Sequence, residues 1–523
     1  MSSSIEPIKV IGNKFYGSLT HQQFFIKGIA YQKTRQEGEV YDPVKETNYI
    51  DPMSNPFSCL RDLEHLKELG INLVRIYQIN PLANHNVCMD AFAEAGIYVL
   101  ADLGEPYCSI RRDFPHWDTE LLQRYKAVID AMVGFDNLLG FFAGNEVADS
   151  QSNVDSAPFV RAAIRDVKKY MRDRKYRKVP VGYATNDDAT IREYLANYFV
   201  CDLNDPHPDH REDEGLDSKA DFFAINVYEW CGYSTYTTSG YRELTAAFKN
   251  YPVPAFFSEF GCNMITPRPF TEVEALYGST MRKTWSGGIA YEYFEEVNHY
   301  GIVLPKQDGS VLKLPDFETL KNRFNSAQPP GLPIDQVEKN EPVSCMQNAA
   351  VWQVASKLPQ TPDKGKCECL FDSLNCVVVE SDSFDEEAIL RDLCYKIDCE
   401  HISTNGKLGR YGKFSDCESI VRASYALNKY YEQTGRRREV CEVQNRGVLV
   451  KEGQVDLSTK FSKDGRNCQS LLNGASSSEE TVKEDTEREP VSILPPASTR
   501  ILSSEAHLFS WTKYLLMVIL ALY

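Results

Sequence analysis

Leu138-Leu-Gly-Phe-Phe-Ala-Gly-Asn-Glu-Val147 is apolar for six residues and then ends in an amide and an acid. A short, continuously apolar run of this kind is buried on both faces, as strands of a parallel sheet are. Helix-period segments flank it, Thr119–Phe135 before and Pro158–Lys175 after. In the second, Arg165, Lys168 and Lys169 read as the solvated face. Seven further runs share the character of the first: Phe24–Tyr31, Ile71–Ile79, Ile97–Leu103, Val179–Thr185, Phe222–Trp230, Ala255–Cys262 and Gly287–Glu296. Between the first two, Leu60, Leu63, Leu66 and Leu69 form one stripe that stops at Gly70, the residue type that caps helices. Eight strand–helix units in about 270 residues predict an α/β fold of the (β/α)8 TIM-barrel type. A doubly wound sheet is the alternative, disfavoured because no GxGxxG follows the first run.

The predicted barrel occupies 5–325, with a hairpin at Tyr300–Leu314 turning on Asp308-Gly309. Residues 326–366, rich in Pro, Gln and Asn, read as a linker. Seven of the chain's 15 cysteines fall between Cys367 and Cys441, inside a predicted cysteine-rich module at 367–470. That density reads as a disulfide framework made in an oxidising compartment. Zinc is the rival, through Cys367-Glu-Cys369 and Cys394-(x4)-Cys399, but no C-x2-C pair occurs. His207-Pro-Asp-His210 reads as a charged, solvated loop. No metal or other cofactor is expected.

Residues 471–507 have a composition that cannot form a core and read as a disordered stalk. The final segment, 508–523, ends in ten apolar residues from Tyr514 to Tyr523, too few to cross a bilayer of about 30 Å. Small residues, spacer and apolar tail together predict a GPI-attachment signal, with a short tether as the alternative. The start, Met1-Ser-Ser-Ser-Ile-Glu, has no signal-peptide pattern. A truncated start reconciles it with the secretion that the cysteines imply. The net charge of −17 gives no attraction to nucleic acid, so none is expected as a partner.

Barrel enzymes carry their chemistry at the C-terminal strand ends. The predicted ends present Tyr31-Gln32, Arg75-Ile-Tyr77, Ala101-Asp102, Gly144-Asn145-Glu146, Asn226-Val-Tyr228-Glu-Trp230, Ser258-Glu259-Phe260 and Tyr291-Glu-Tyr293. Glu146 and Glu259 belong to runs four and seven, which face each other across a barrel mouth. Two carboxyls about 5–5.5 Å apart are the equipment of a retaining glycosidase. The preceding amide, Asn145, suits Glu146 to the acid/base role, which leaves Glu259 as nucleophile, with Arg75 and Tyr228 as candidate donors. Glu105, Glu229, Glu292 and Glu295 are weaker candidates. Asp102 either binds a sugar hydroxyl or braces Arg75. Tyr31, Tyr77, Tyr228 and Tyr291 either stack on sugars or belong to the core.

At these residues the chain resembles the fungal cell-wall β-1,3-glucanosyltransferases, the Gas/Gel/Phr family. The resemblance is carried by Gly28-Ile-Ala-Tyr-Gln32, Leu138 to Glu146, Arg177-Lys-Val-Pro-Val-Gly-Tyr183, Ser258-Glu-Phe-Gly-Cys262 and Ser286-Gly-Gly-Ile-Ala-Tyr-Glu-Tyr293, and it extends over about residues 5–470. It implies cleavage of an internal β-1,3 linkage with retention and transfer of the new reducing end to the non-reducing end of another glucan. The partners it implies are glucan donor, glucan acceptor and, through the GPI anchor, the plasma membrane, with the protein a monomer at the cell surface. Gln32, Tyr77, Asp102, Asn145, Tyr228 and Tyr291 correspond to its glucan-contacting set, and Glu146 and Glu259 to its catalytic pair. Tyr228, Trp230, Tyr233 and Tyr236 are the expected acceptor platform. The cysteine-rich unit resembles the family's carbohydrate-binding module, carried by Cys367, Cys369, Cys376, Cys394, Cys399, Cys417, Cys441 and Gly409-Arg-Tyr-Gly412, with Cys468 as the eighth thiol. The resemblance implies Cys59–Cys88, Cys201–Cys345 and Cys231–Cys262 in the barrel and leaves Cys108 unpaired. Hydrolysis at the same site and a catalytically silent wall-binding protein are the competing functions.

Overall fold

The structure is a computed structural model that describes residues 5–35, 49–106, 108–203, 217–306, 308–337, 343–347, 350–379, 385–442, 447–450 and 456–473. His207, His210, the stalk from residue 474 onward and the apolar tail lie outside the described residues.

Eight parallel strands close a barrel in chain order. They are β1 (Ile26–Ala30), β2 (Leu73–Ile76), β3 (Tyr98–Asp102), β4 (Leu138–Asn145), β5 (Val181–Asn186), β6 (Phe223–Cys231), β7 (Ala255–Cys262) and β8 (Trp285–Ala290). Each lies within or against one of the eight apolar runs. The connecting helices are α1 (Pro56–Leu69), α2 (Asn86–Glu94), α3 (Thr119–Met132), α4 (Ala157–Asp173), α5 (Arg192–Val200), α6 (Tyr241–Ala247) and α7 (Glu272–Tyr277), with α8 (Pro315–Ser326) after the last strand. Local signals set their ends. Asn55 caps α1 through Ser58 N, Gly70 closes it in the left-handed conformation, and Asp118 caps α3 through Leu121 N. The hairpin expected near Asp308-Gly309 is present, Val303–Pro305 against Val311–Lys313.

An N-terminal antiparallel sheet plugs the bottom of the barrel. Its Phe15 ring lies 6.1 Å from those of Phe222 and Phe256. Phe142 packs on Phe222 at 5.3 Å, so an aromatic column fills the interior and forms the floor of the open upper end. Two strands come unusually close where the barrel closes. Gly287 has φ +107°, and a Cβ there would lie 2.1 Å from the main-chain oxygen of Ile26 on β1.

One expectation is corrected. Arg165 is buried, not solvated: it pairs with Asp166 and donates to the carbonyl of Pro359 at 2.9 Å. Lys168 is likewise engaged, by Asp217 and Asp221. A later stretch of chain lies over this face of α4, with Trp352 and Leu358 in the barrel's apolar cluster. Periodicity within one helix carries no information about such a distant covering segment.

Beyond it, helices Lys364–Ser373, Glu386–Cys394 and Ser419–Gln433 surround a short antiparallel pair, Cys376–Val378 with Gly447–Leu449. This core is stapled by Cys367–Cys417, Cys369–Cys468, Cys376–Cys441 and Cys394–Cys399. The cysteines weighed as zinc ligands are therefore oxidised in pairs. The barrel carries Cys59–Cys88, Cys201–Cys345 and Cys231–Cys262, and Cys108 is a free thiol. Among the described residues no helix is long and apolar enough to cross a membrane.

Gly287→Ala should destabilise the protein by at least about 2 kcal/mol, because strain and a main-chain clash add at one position. Thermal melting checks this, and an unchanged midpoint would show that the barrel does not depend on the close approach.

Candidate active site

Arg75, on β2, is fully buried at the barrel centre. Its guanidinium lies over the Phe142 ring at 4.4 Å and the Tyr77 ring at 4.2 Å. A buried cation is tolerable only when its donors are used, and here they are. Nε and Nη2 donate to Asp102 at 3.3 and 3.1 Å, Nη2 to Asn145 Oδ1 at 3.0 Å, and Nη1 to Glu259 Oε1 at 3.4 Å. Burial alone would loosen the guanidinium's proton, but Asp102, Tyr77 and Glu259 outweigh it and hold the proton more tightly than in water. One side chain thus fixes residues from β3, β4 and β7, and Asp102 takes the bracing role.

Glu259 sits on β7 among donors. Tyr77 Oη donates to Oε1 at 2.9 Å and Tyr228 Oη to Oε2 at 2.7 Å. Burial pushes its carboxyl up to about 7, with Glu146 adding to the rise. Arg75 and the two tyrosines pull the other way by favouring the ionised form.

Glu146 stands just past the end of β4 with φ +49°, a left-handed conformation that costs a non-glycine residue about 1–2 kcal/mol. Its N–H donates to Ala184 O at 2.9 Å, and its carbonyl accepts from Arg112 Nη2 at 2.6 Å. Its Oε1 accepts from Asn226 Nδ2 at 2.8 Å. The Asn226 amide is oriented in turn by Ser258 Oγ, which donates to its Oδ1 at 2.7 Å. Asn226 Nδ2 also lies 3.3 Å from Asn145 Oδ1, which accepts from Arg75, the donor to Glu259, so a continuous hydrogen-bonded path joins the two glutamates. One carboxyl is enclosed by three donors and the other, half-buried, meets Asn226, an asymmetry suited to a pair with different tasks.

The remaining candidates fall into place around this pair. Gln32 is buried, donates to Lys33 O and Ile50 O, and accepts from Tyr77 N at 3.1 Å, so it positions Tyr77. Tyr291 lies 6.5 Å from the Tyr77 ring and 6.3 Å from the Tyr228 ring. Tyr300, which sequence reasoning missed, extends this wall at 5.4 Å from Tyr291. Asn226 stands at the predicted strand end without an assigned role, although it is two residues before Tyr228 on the same strand and therefore on the same face. Tyr31 belongs to the core, with its hydroxyl on Asp62. Trp230 is buried against Tyr241 with its indole N–H on Thr271, so it is no platform, whereas Tyr233 is exposed and Tyr236 half-buried. Among the weaker acids, Glu105 pairs with Arg124, Glu292 is buried and accepts from Asn298, and Glu295 contacts His299. The Cys231–Cys262 bond links the ends of β6 and β7 beside Glu259.

A family profile described as Glucanosyltransferase matches residues 1–328, and one described as X8 domain matches residues 374–448. The chain is 63% identical over 508 residues to the 1,3-beta-glucanosyltransferase PGA5 of Candida albicans, across 94% of this chain and 78% of that protein. It is 49% identical over 452 residues to the 1,3-beta-glucanosyltransferase GAS2 of Saccharomyces cerevisiae, across 84% and 79% of the two. The solved structure of Saccharomyces cerevisiae Gas2p in complex with laminaripentaose matches it with a TM-score of 0.77 at 48% identity, covering 85% of this chain and 97% of that one.

Were Glu259 to serve as an attacking carboxylate it would have to be ionised, and kcat/KM should then fall as pH drops through its pKa of about 7. Tyr228→Phe removes a donor that favours the anion. It should move this acid limb upward by about one pH unit, the equivalent of one charge-assisted hydrogen bond of about 1.5 kcal/mol. A limb that stays in place or moves down would contradict the arrangement.

Proposed function

The chain belongs to the glucanosyltransferase family, and from that premise we propose how its residues carry out β-1,3-glucan transfer. Glu146 gives its carboxyl proton to the bridging oxygen of an internal β-1,3 linkage. The Glu259 carboxylate attacks the anomeric carbon, the C–O bond to the leaving glucan breaks, and a glucosyl ester forms. A hydroxyl at the non-reducing end of a second glucan then enters. Ionised Glu146 takes its proton, the new C–O bond forms, and the ester bond to Glu259 breaks. Two inversions give net retention, and the acceptor chain is lengthened.

The observation that carries this reading is the unequal pair on one hydrogen-bonded path. Glu259, fixed by Arg75, Tyr77 and Tyr228, is aimed to attack, and Glu146, held through Asn226, is free to exchange a proton. Transfer prevails over hydrolysis when an acceptor is held in place ahead of water. Tyr77, Tyr228, Tyr291 and Tyr300 supply a wall of rings for glucose faces, and Asn145 presents an amide beside the acid/base.

The reading extends to location. We place the enzyme at the cell surface, GPI-anchored and monomeric, acting on wall glucan. Seven disulfides, the products of an oxidising compartment, support this. So does the order of small residues, spacer and apolar tail at the C-terminus.

Purified protein given reduced laminari-oligosaccharides should yield products longer than the substrate. Only shorter products would make it a hydrolase. Glu146→Gln and Glu259→Gln should each lower turnover at least about 100-fold while glucan binding survives. Full activity in either variant rejects the roles assigned.

A further inference from the structure

The acid/base stands on a strained residue, and the group that holds its main-chain carbonyl comes from outside the barrel strands. Arg112 lies in the irregular segment between β3 and α3. Its guanidinium donates to the Glu146 carbonyl at 2.6 Å and pairs with Asp149, three residues further on. It thus clamps the turn that points the Glu146 side chain into the cleft.

The cysteine-rich module, in turn, holds the segment bearing Arg112. Phe114 packs against the module's apolar core. Thr404 of the module donates to Pro115 O at 3.1 Å. Arg422, buried in the module, donates to Asp118 at 3.1 Å, and Thr119 N donates to Asp416 O at 3.0 Å. These contacts begin two residues after Arg112 and continue to the first turn of α3.

We propose that the cysteine-rich module is part of the catalytic apparatus, because it holds the segment that places Arg112 on the Glu146 carbonyl, and that Arg112 is a positioning residue for the acid/base. The proposal rests on the reading of Glu146 given above. It differs from a purely glucan-binding role for the module, in which module contacts would influence substrate affinity and leave proton transfer unchanged.

The test uses the full chain. Arg112→Met should lower kcat for transfer between reduced laminari-oligosaccharides about 10- to 100-fold, within the range of a general acid's contribution. KM should stay within about two-fold, the mark of an interaction made in the transition state. Arg112→Lys, which keeps a donor and a charge, should recover most of the loss. A dinitrophenyl laminari-oligosaccharide separates positioning from general damage, since dinitrophenolate leaves without needing a proton. The Arg112→Met burst should keep its full amplitude, which counts folded sites with a competent nucleophile, and its rate should fall less than about three-fold. On the module side, Phe114→Ala combined with Thr404→Val should show the same pattern, a loss in kcat with the burst preserved.

Wild-type kcat in Arg112→Met, a loss confined to KM, equal losses with both donors, or a silent module-side pair would each overturn the proposal. An active Glu146→Gln would remove the reading beneath it. An inactive Glu146→Gln beside a fully active Arg112→Met would remove the proposal alone.

Discussion

A single buried guanidinium organises the upper end of this barrel. Arg75 has no exposure to water, so its charge must be met by protein. Asp102, Asn145 and Glu259 meet it from three other strands. Each is held in one orientation because moving away would leave a donor of a buried cation unmet, and removing the partner of a buried charge costs about 3–5 kcal/mol. The aromatic column beneath leaves no room for water to substitute: the Phe142 ring lies directly under the guanidinium. The barrel's packing therefore converts one charge into a fixed geometry for Glu259.

That geometry also bears on the division of labour proposed for the glutamates. Burial of Glu259 raises its pKa, and by itself this would favour the acid's role. Hydrogen-bond geometry argues the other way. Two phenol hydroxyls and a guanidinium are all donors, and every one of them is satisfied best by an anion. The Asn226 amide is fixed by Ser258 and presents an N–H to Glu146 in either protonation state. The donor sets, more than the magnitude of either shift, support the proposal that Glu259 attacks and Glu146 carries the proton.

The parts of this structure that were legible in the sequence are those that depend on periodicity or strand position. The eight runs read as buried strands because barrel strands have no polar face, and the Leu60 to Gly70 pattern reads as α1 because its stripe and cap are local. Glu146, Glu259, Tyr77 and Tyr228 stand out at strand ends for the same reason. Asn226 stands at a strand end but receives no role from the sequence, because an asparagine in a strand has no chemistry until its neighbours are known. Gln32 looked like a sugar contact, but its amide is used by Lys33, Ile50 and Tyr77. Arg112 was illegible for a stronger reason: the segment around it has no period, and its partner is a main-chain carbonyl, which every residue possesses. Arg165 was misread because its cover arrives from nearly two hundred residues later, at Pro359 (|i−j| = 194).

The contacts between barrel and module have the character of specification more than of adhesion. Asp118 caps α3 and also receives Arg422, which is held by Glu386 as well. Asp416 accepts from Lys366 and Gln360 while its carbonyl takes the first N–H of α3. Where the linker crosses the barrel, Asp166 accepts from Trp117, Arg165 and Thr361 at once. Buried ion pairs of this kind add little stability over apolar contacts of equal volume, because desolvation offsets most of the attraction. What they add is intolerance of misalignment, since a shift that breaks one leaves a charge stranded in a dry environment. An interface built only to keep a binding module nearby would not need buried carboxylates each shared among several partners. Such an arrangement is expected where the relative placement of the two parts has to be reproduced to within a hydrogen bond, and the α3 end of the barrel meets that description because the segment leading into it reaches Glu146.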